Sequence, residues 1–100
     1  MKKISSLKEQ LLEDMKLAMK NKEKEKLSVI KTARAAIKNL EIEKRKDLED
    51  DEVLEVLQRE IEERREAIKE YENTGEKNML KKLNQEIEIL AAYLQETENS

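Results

Sequence analysis

The sequence predicts an all-α protein: a small antiparallel bundle of about four helices, made of two helical hairpins, with helices two and three long. Three observations predict it. Apolar residues recur at helical spacing along nearly the whole chain. Proline is absent and glycine occurs once, which leaves little turn chemistry for β-hairpins. The joints between periodic stretches are short and polar, so successive helices are expected to lie antiparallel as neighbours. Charged residues make up 45% of the 100 residues, yet their periodic interruption by apolar ones argues for folded helices over disorder.

The first helix is expected to open at Ser6, because Ser6-Leu7-Lys8-Glu9 has the spacing of a capping box. Leu7, Leu11, Leu12, Met15, Ala18 and Met19 form its apolar stripe, which ends near Lys20. After the joint Asn21-Lys22-Glu23, the second helix runs from Glu23 to Arg45 with two distinct faces. Val29, Ile30, Ala33, Ala36, Ile37 and Leu40 share one arc. Lys24, Lys31, Lys38 and Arg45 recur every seven residues on a neighbouring arc, with Arg34 beside them. The acidic quartet Glu49-Asp50-Asp51-Glu52 suits the N-terminus of a third helix, where unpaired N–H groups favour negative charge. That helix carries Val53, Leu54, Leu57, Ile61, Ile68 and Tyr71 on one face and stops at Asn73-Thr74-Gly75, with Gly75 as a left-handed terminator. Asn78 is expected to cap the fourth helix, whose stripe is Met79, Leu80, Leu83, Ile87, Leu90 and Leu94. The reading is one helical domain over residues 1–94 and a frayed tail over 95–100.

One residue breaks the pattern. Arg64 falls inside the apolar arc of helix three, and Glu86 sits at the margin of the arc of helix four. Folding back at Gly75 sets them opposite each other, each eleven residues from the turn. An Arg64–Glu86 ion pair that fixes register is expected, with a phosphate-ligand role for Arg64 as the alternative.

Charge is unevenly distributed. Net charge is −3, but residues 16–46 hold 11 basic and 4 acidic residues, whereas residues 47–76 hold 4 basic and 13 acidic. Either the two segments attract each other or are simply solvated, or the first offers a cationic face to an anionic partner. Lys24, Lys31, Arg34, Lys38 and Arg45 are the candidate nucleic-acid-binding residues. With Tyr71 and Tyr93 as the only aromatics, base-stacking recognition is not expected; tracking of phosphates on a folded RNA is. Ile42, Val56, Ile89 and Tyr93 lie off the main stripes and suit protein docking or self-association instead.

Catalysis has poor raw material. No histidine or cysteine exists for a triad, a thiol nucleophile or a disulfide. Close carboxylates such as Glu9 and Glu13, or Glu60 and Glu63, read as solvated charges with nothing apolar to tune them. The acidic quartet lacks the glycine turn and spaced oxygen ligands of a cation loop, so no metal and no cofactor is expected. No catalytic centre is visible. No apolar run approaches the roughly 18 residues of a membrane span, and the basic start lacks the apolar core of a secretory signal, so a cytoplasmic protein is expected.

Leu7-Lys8-Glu9-Gln10-Leu11, the run Asp14 to Lys20, Lys26-Leu27-Ser28-Val29-Ile30 and Ala35-Ala36-Ile37-Lys38-Asn39 resemble the YqeY family. So do Val53-Leu54-Glu55-Val56-Leu57, Arg64-Arg65-Glu66-Ala67-Ile68, and Glu86-Ile87-Glu88-Ile89-Leu90 followed by Tyr93-Leu94. That family is similar to the tail domain of GatB, the B subunit of the glutamine-dependent aspartyl/glutamyl-tRNA amidotransferase. The resemblance implies a multihelical module that touches tRNA while amidation occurs elsewhere. It also brings the label of carbon–nitrogen ligase with glutamine as amide donor, which belongs to the complex. Family members typically continue after Tyr-Leu-Pro into a smaller helical subdomain, whereas here Gln95 follows Leu94. The resemblance therefore covers the first subdomain, and the RNA contact is either here or in the second. In the family a Thr-type cap stands where this chain has Glu49-Asp50-Asp51. The expected function is a non-catalytic tRNA-associated module, with a protein-interaction bundle as the alternative. Expected partners are tRNA, that second subdomain, or another protein, with no membrane.

Overall fold

The computed structural model describes residues 6–98, with side chains described from Ser6 to Leu94. Its described residues form four helices and no strand: α1 (Leu7–Lys20), α2 (Lys24–Lys44), α3 (Asp50–Thr74) and α4 (Lys77–Glu98). The chain divides into two compact units, Met1–Val56 and Leu57–Ser100, with the boundary inside α3.

In the first unit α1 and α2 make an antiparallel hairpin. Lys8 pairs with Glu41, and seven residues further along α1 the Met15 sulfur accepts from Arg34 at 3.4 Å. Seven residues down one helix thus match seven residues up the other. The seam buries Leu7, Leu11 and Ala18 of α1 against Val29, Ile30, Ala33 and Ile37 of α2, four of them at 0–1% exposure. Met19 departs from its expected place in the stripe: one residue before α1 ends it is 55% exposed, while the neighbouring Ala18 takes the buried position of that last turn.

The helix ends explain the tight joints. Ser6 Oγ accepts from the Glu9 N–H while the Glu9 carboxylate accepts from the Ser6 N–H, completing the capping box. At the far end Lys22 takes φ +59°, with its N–H on the Met19 carbonyl and the Glu23 N–H on that of Ala18. This is a Schellman turn with lysine where glycine is preferred. Arg45 repeats it with φ +59°, and the Lys46 N–H reaches back to the Glu41 carbonyl. Arg45 is therefore the cap that ends α2, and does not continue its helical face. Leu48 follows as a buried anchor at 5% exposure. Glu49 opens α3: its carbonyl accepts from Val53 and its N–H donates to Glu52 at 3.0 Å.

In the second unit α3 turns into α4 at Gly75, whose φ is +76° and whose N–H meets the Tyr71 carbonyl at 3.0 Å. Beyond the turn, α4 begins at Lys77 with the Leu80 N–H on the Glu76 carbonyl. Asn78 therefore lies inside the first turn and is not the cap expected. The helix runs to Glu98, past Leu94 where the apolar pattern ends; the last two residues of the tail lie outside the described residues.

Arg64 and Glu86 meet across this hairpin, Nε to Oε1 at 2.9 Å. Arg64 also donates to Glu60, at 3.1 Å to the carboxylate and 3.0 Å to the carbonyl. All three side chains are only 12–13% exposed. Glu60 is thus a bound partner of Arg64, not the solvated charge expected, because its position one turn before Arg64 brings it under the guanidinium. Two off-stripe residues also depart from expectation: Val56 and Tyr93 are buried, at 5% and 4%, whereas Ile42 is 65% exposed.

Two outcomes follow from the backbone. Replacing Lys22 by glycine removes a left-handed strain of about 1 kcal/mol and raises the melting temperature, whereas Gly75→Ala, at φ +76°, lowers stability by a similar amount. Calorimetry on both variants checks the signs. Arg64→Met leaves two largely covered carboxylates without their cation and costs about 2 kcal/mol, and adding Glu60→Gln and Glu86→Met recovers most of it. Urea titration of the set reads the coupling.

Candidate nucleic-acid interface

The candidate cations lie on or beside α2, and three shallow concavities run along them, all three lined by Lys38. The first, about 220 Å³, has Leu11 and Ile37 in its lining, with Lys8, Arg34, Lys38 and Glu41 as its polar members. Towards the α1–α2 turn, a second of about 430 Å³ is bounded by Met15, Lys31, Arg34, Ala35 and Lys38. Towards the start of α3, a third of about 370 Å³ is lined by Lys38, Glu41, Ile42, Arg45, Lys46 and Asp47. Together they form one groove with Lys38 at its centre.

The helix repeat brings these cations together. Lys31, Arg34 and Lys38 are three, four and seven residues apart, so they share one face over about 10.5 Å of axis. Lys31 and Lys38 are exposed and form no ion pair among the described residues. Arg34 is half-buried and anchored by its bond to Met15. Arg45 reaches the groove from the left-handed cap. Lys24 is exposed on the first turn of α2 and lines none of the three concavities.

Carboxylates claim the other cations nearby. Lys8 is bound by Glu41 and lies 3.9 Å from Asp47. Lys44 and Lys46 converge on Glu52 Oε2 at 3.4 and 3.2 Å. Lys8 and Glu41 were not among the sequence candidates: they sit on different helices, and only the hairpin register makes them neighbours.

Hydrogen bonding fixes the charge state of these acids. Glu41 accepts from Lys8 foremost and then from the Leu48 N–H at 2.9 Å, which together hold its carboxyl below the ordinary 4.5. The Glu49 N–H, followed by Lys46, lowers Glu52 to about 2. The bond to Glu41 in turn raises Lys8. Asp50 accepts from the Leu7 N–H at 3.0 Å, adding a second cap to α1. The acidic quartet is therefore occupied with helix ends and lysines, and among the described residues no group of three or more carboxylates is arranged to hold a metal ion.

The second unit has a groove of about 550 Å³ whose lining includes Ile61, Leu94, Arg59 and Arg65. Its charge is balanced in part: Arg65 meets Glu62 at 2.7 Å, while Arg59 is exposed and forms no ion pair among the described residues. The pairing of Arg64 with two carboxylates likewise leaves it little capacity for a phosphate.

The family model of Yqey-like proteins matches residues 8–98. The chain belongs to the YqeY-like family. The match takes in α1 from its second residue through the end of α4, so the groove residues of this YqeY-like chain lie within the family region. No curated protein matches the chain. No helix among the described residues is long and apolar enough to cross a membrane.

The lowered carboxyls set an expected pH dependence. A group whose pKa is depressed on folding stabilises the fold above its unfolded value and loses that contribution as it is protonated. Stability is expected to fall as pH drops from about 4.5 towards about 2, the window in which Glu52 takes up its proton. Glu52→Gln flattens that limb, as read by urea denaturation at a series of pH values.

Proposed function

We propose that this YqeY-like chain is a non-catalytic RNA-binding module that grips the phosphate backbone of a folded RNA in the groove between α1 and α2. The observation that carries the reading is the contrast within that groove. Lys31 and Lys38 stand exposed and without an ion pair among the described residues, while nearby Lys8, Lys44 and Lys46 are each taken by a carboxylate. Arg34 and Arg45 extend the same surface. The groove's lining holds no aromatic side chain, which favours recognition by shape and charge over base stacking.

The family's likeness to the tail of the tRNA-dependent amidotransferase supports tRNA as the RNA and an accessory role in amidation. The ligase label attached to the family is not assigned to this chain alone: without histidine or cysteine it has no apparent nucleophile–base pair. A protein-docking role has weaker support, since the large exposed apolar residues do not gather. Leu17 and Met19 stand near the α1–α2 turn and Ile42 near the opposite end of that hairpin. A cytoplasmic setting accords with an RNA ligand.

Titration of labelled bulk tRNA at several salt concentrations tests the reading. Binding is expected to weaken with salt, and Lys31→Glu with Lys38→Glu to cost at least tenfold in affinity and flatten the log–log salt slope by about 2. Lys24→Glu, outside the groove, changes affinity less. No binding even at low salt, or equal losses for all three positions, overturns the assignment of the groove.

A further inference from the structure

Glu41 stands inside the cationic groove, lining both the concavity beside Lys8 and the one that leads to Arg45. A carboxylate there, already paired with Lys8, sets a hydrogen-bond acceptor one turn beyond the cation of Lys38. Its structural bonds meet one oxygen only: Lys8 Nζ and the Leu48 N–H both reach Oε2. Among the described residues no hydrogen bond reaches Oε1, and the side chain is 18% exposed. Those same bonds hold the group ionised at neutral pH, so it accepts hydrogen bonds and donates none.

The groove therefore sets phosphate-binding cations beside a fixed acceptor. Lys38 and Glu41 are separated by about 4.5 Å along the helix, so one nucleotide or two adjacent ones address both. Lys8 offsets much of the Glu41 charge, so what Glu41 adds beside the Lys38 cation is an acceptor that only a ligand with donors can use. A ligand that satisfies both carries hydroxyl donors along an anionic backbone, which describes the ribose phosphate chain and not its deoxy counterpart.

We propose that Glu41 accepts a ribose 2′-hydroxyl next to a phosphate held by Lys38, and so selects RNA over DNA. This rests on the groove being the RNA site, and deepens that reading from a phosphate surface to a sugar-reading one. Asp47, 93% exposed in the concavity that leads to Arg45, adds a second acceptor.

The test changes the ligand first, so that it does not depend on a variant folding. The protein is titrated with an RNA hairpin and with the same hairpin carrying 2′-fluoro groups, which keep the A-form shape but donate no hydrogen bond. The fluoro hairpin is expected to bind about tenfold more weakly at equal salt, the scale of one charge-assisted hydrogen bond. Glu41→Gln, with a neutral and weaker acceptor, narrows that ratio while its melting curve reports whether the hairpin of α1 and α2 is intact. Equal affinity for the two hairpins, with binding still lost in the Lys31→Glu and Lys38→Glu variant, overturns the sugar contact and leaves the phosphate reading standing. A ratio unchanged by Glu41→Gln also overturns it. No binding of either hairpin overturns both readings.

Discussion

Glu41 is the carboxylate on which the first unit turns. From the last two turns of α2 it binds Lys8 on α1 and the N–H of Leu48, the buried residue that starts the chain towards α3. Three segments are thus joined at one oxygen. The bond to Leu48 matters because a buried backbone donor left unmade costs about 1–3 kcal/mol. The apolar anchor of the loop therefore needs an acceptor from elsewhere, and Glu41 supplies it. Asp50 does the converse, leaving its own helix N-terminus to accept from Leu7 at the start of α1. With Glu52 turned back on Glu49, carboxylates satisfy donors at the starts of both α1 and α3.

Much of this fold was legible because helical periodicity and turn chemistry each carry a strong signal. The capping box at Ser6 and the terminator at Gly75 could be read from residue type and spacing. The meeting of Arg64 with Glu86 could be read because a tight turn sets the register of the hairpin beyond it, so residues equidistant from Gly75 face each other. Lys22 and Arg45 could not be read. Their left-handed backbones are unusual for such side chains, and only packing on either side of the turn imposes them. Reading Arg45 as one more residue on a helical face followed from that omission. Val56 and Tyr93 read as off-stripe in the sequence because a single narrow stripe underestimates how broad a face is covered. Glu41 and Lys8 carry no such signal in the sequence, because a groove between two helices is a property of their register, which neither helix encodes alone.

The division of charge in the first unit follows from the same constraint. A segment with 11 basic and 4 acidic residues precedes one with 13 acidic and 4 basic, and general neutralisation of one by the other would erase any binding face. Within this unit the attraction is local. Glu52 takes Lys44 and Lys46, and Asp50 is committed to a backbone N–H. Lys31 and Lys38 lie further back along α2, two and one heptads from the cap at Arg45, and neither forms an ion pair among the described residues, although Lys38 shares a concavity with Glu41 and Asp47. Glu52 and Asp50 are thus bonded at one end of the groove, while Glu41 reaches its middle beside Lys38.

An acidic protein that binds a polyanion faces a physical constraint of its own. Net charge of −3 gives no long-range attraction to nucleic acid, so encounter gains little from steering. On the proposed RNA-binding reading, binding comes from contacts made within a Debye length, about 8 Å at physiological salt, where Lys31, Arg34 and Lys38 act together and the rest of the surface is screened. Such a site loses affinity steeply when even one cation misses its phosphate, because no diffuse positive field compensates. Rigidity of the cations is then worth more than their number. Arg34 pinned to Met15, and α1 tied to α2 through Lys8 and Glu41, give the groove that rigidity. On the proposed reading, the acidity of the chain makes this small cationic patch answer to the spacing of phosphates more than to their charge.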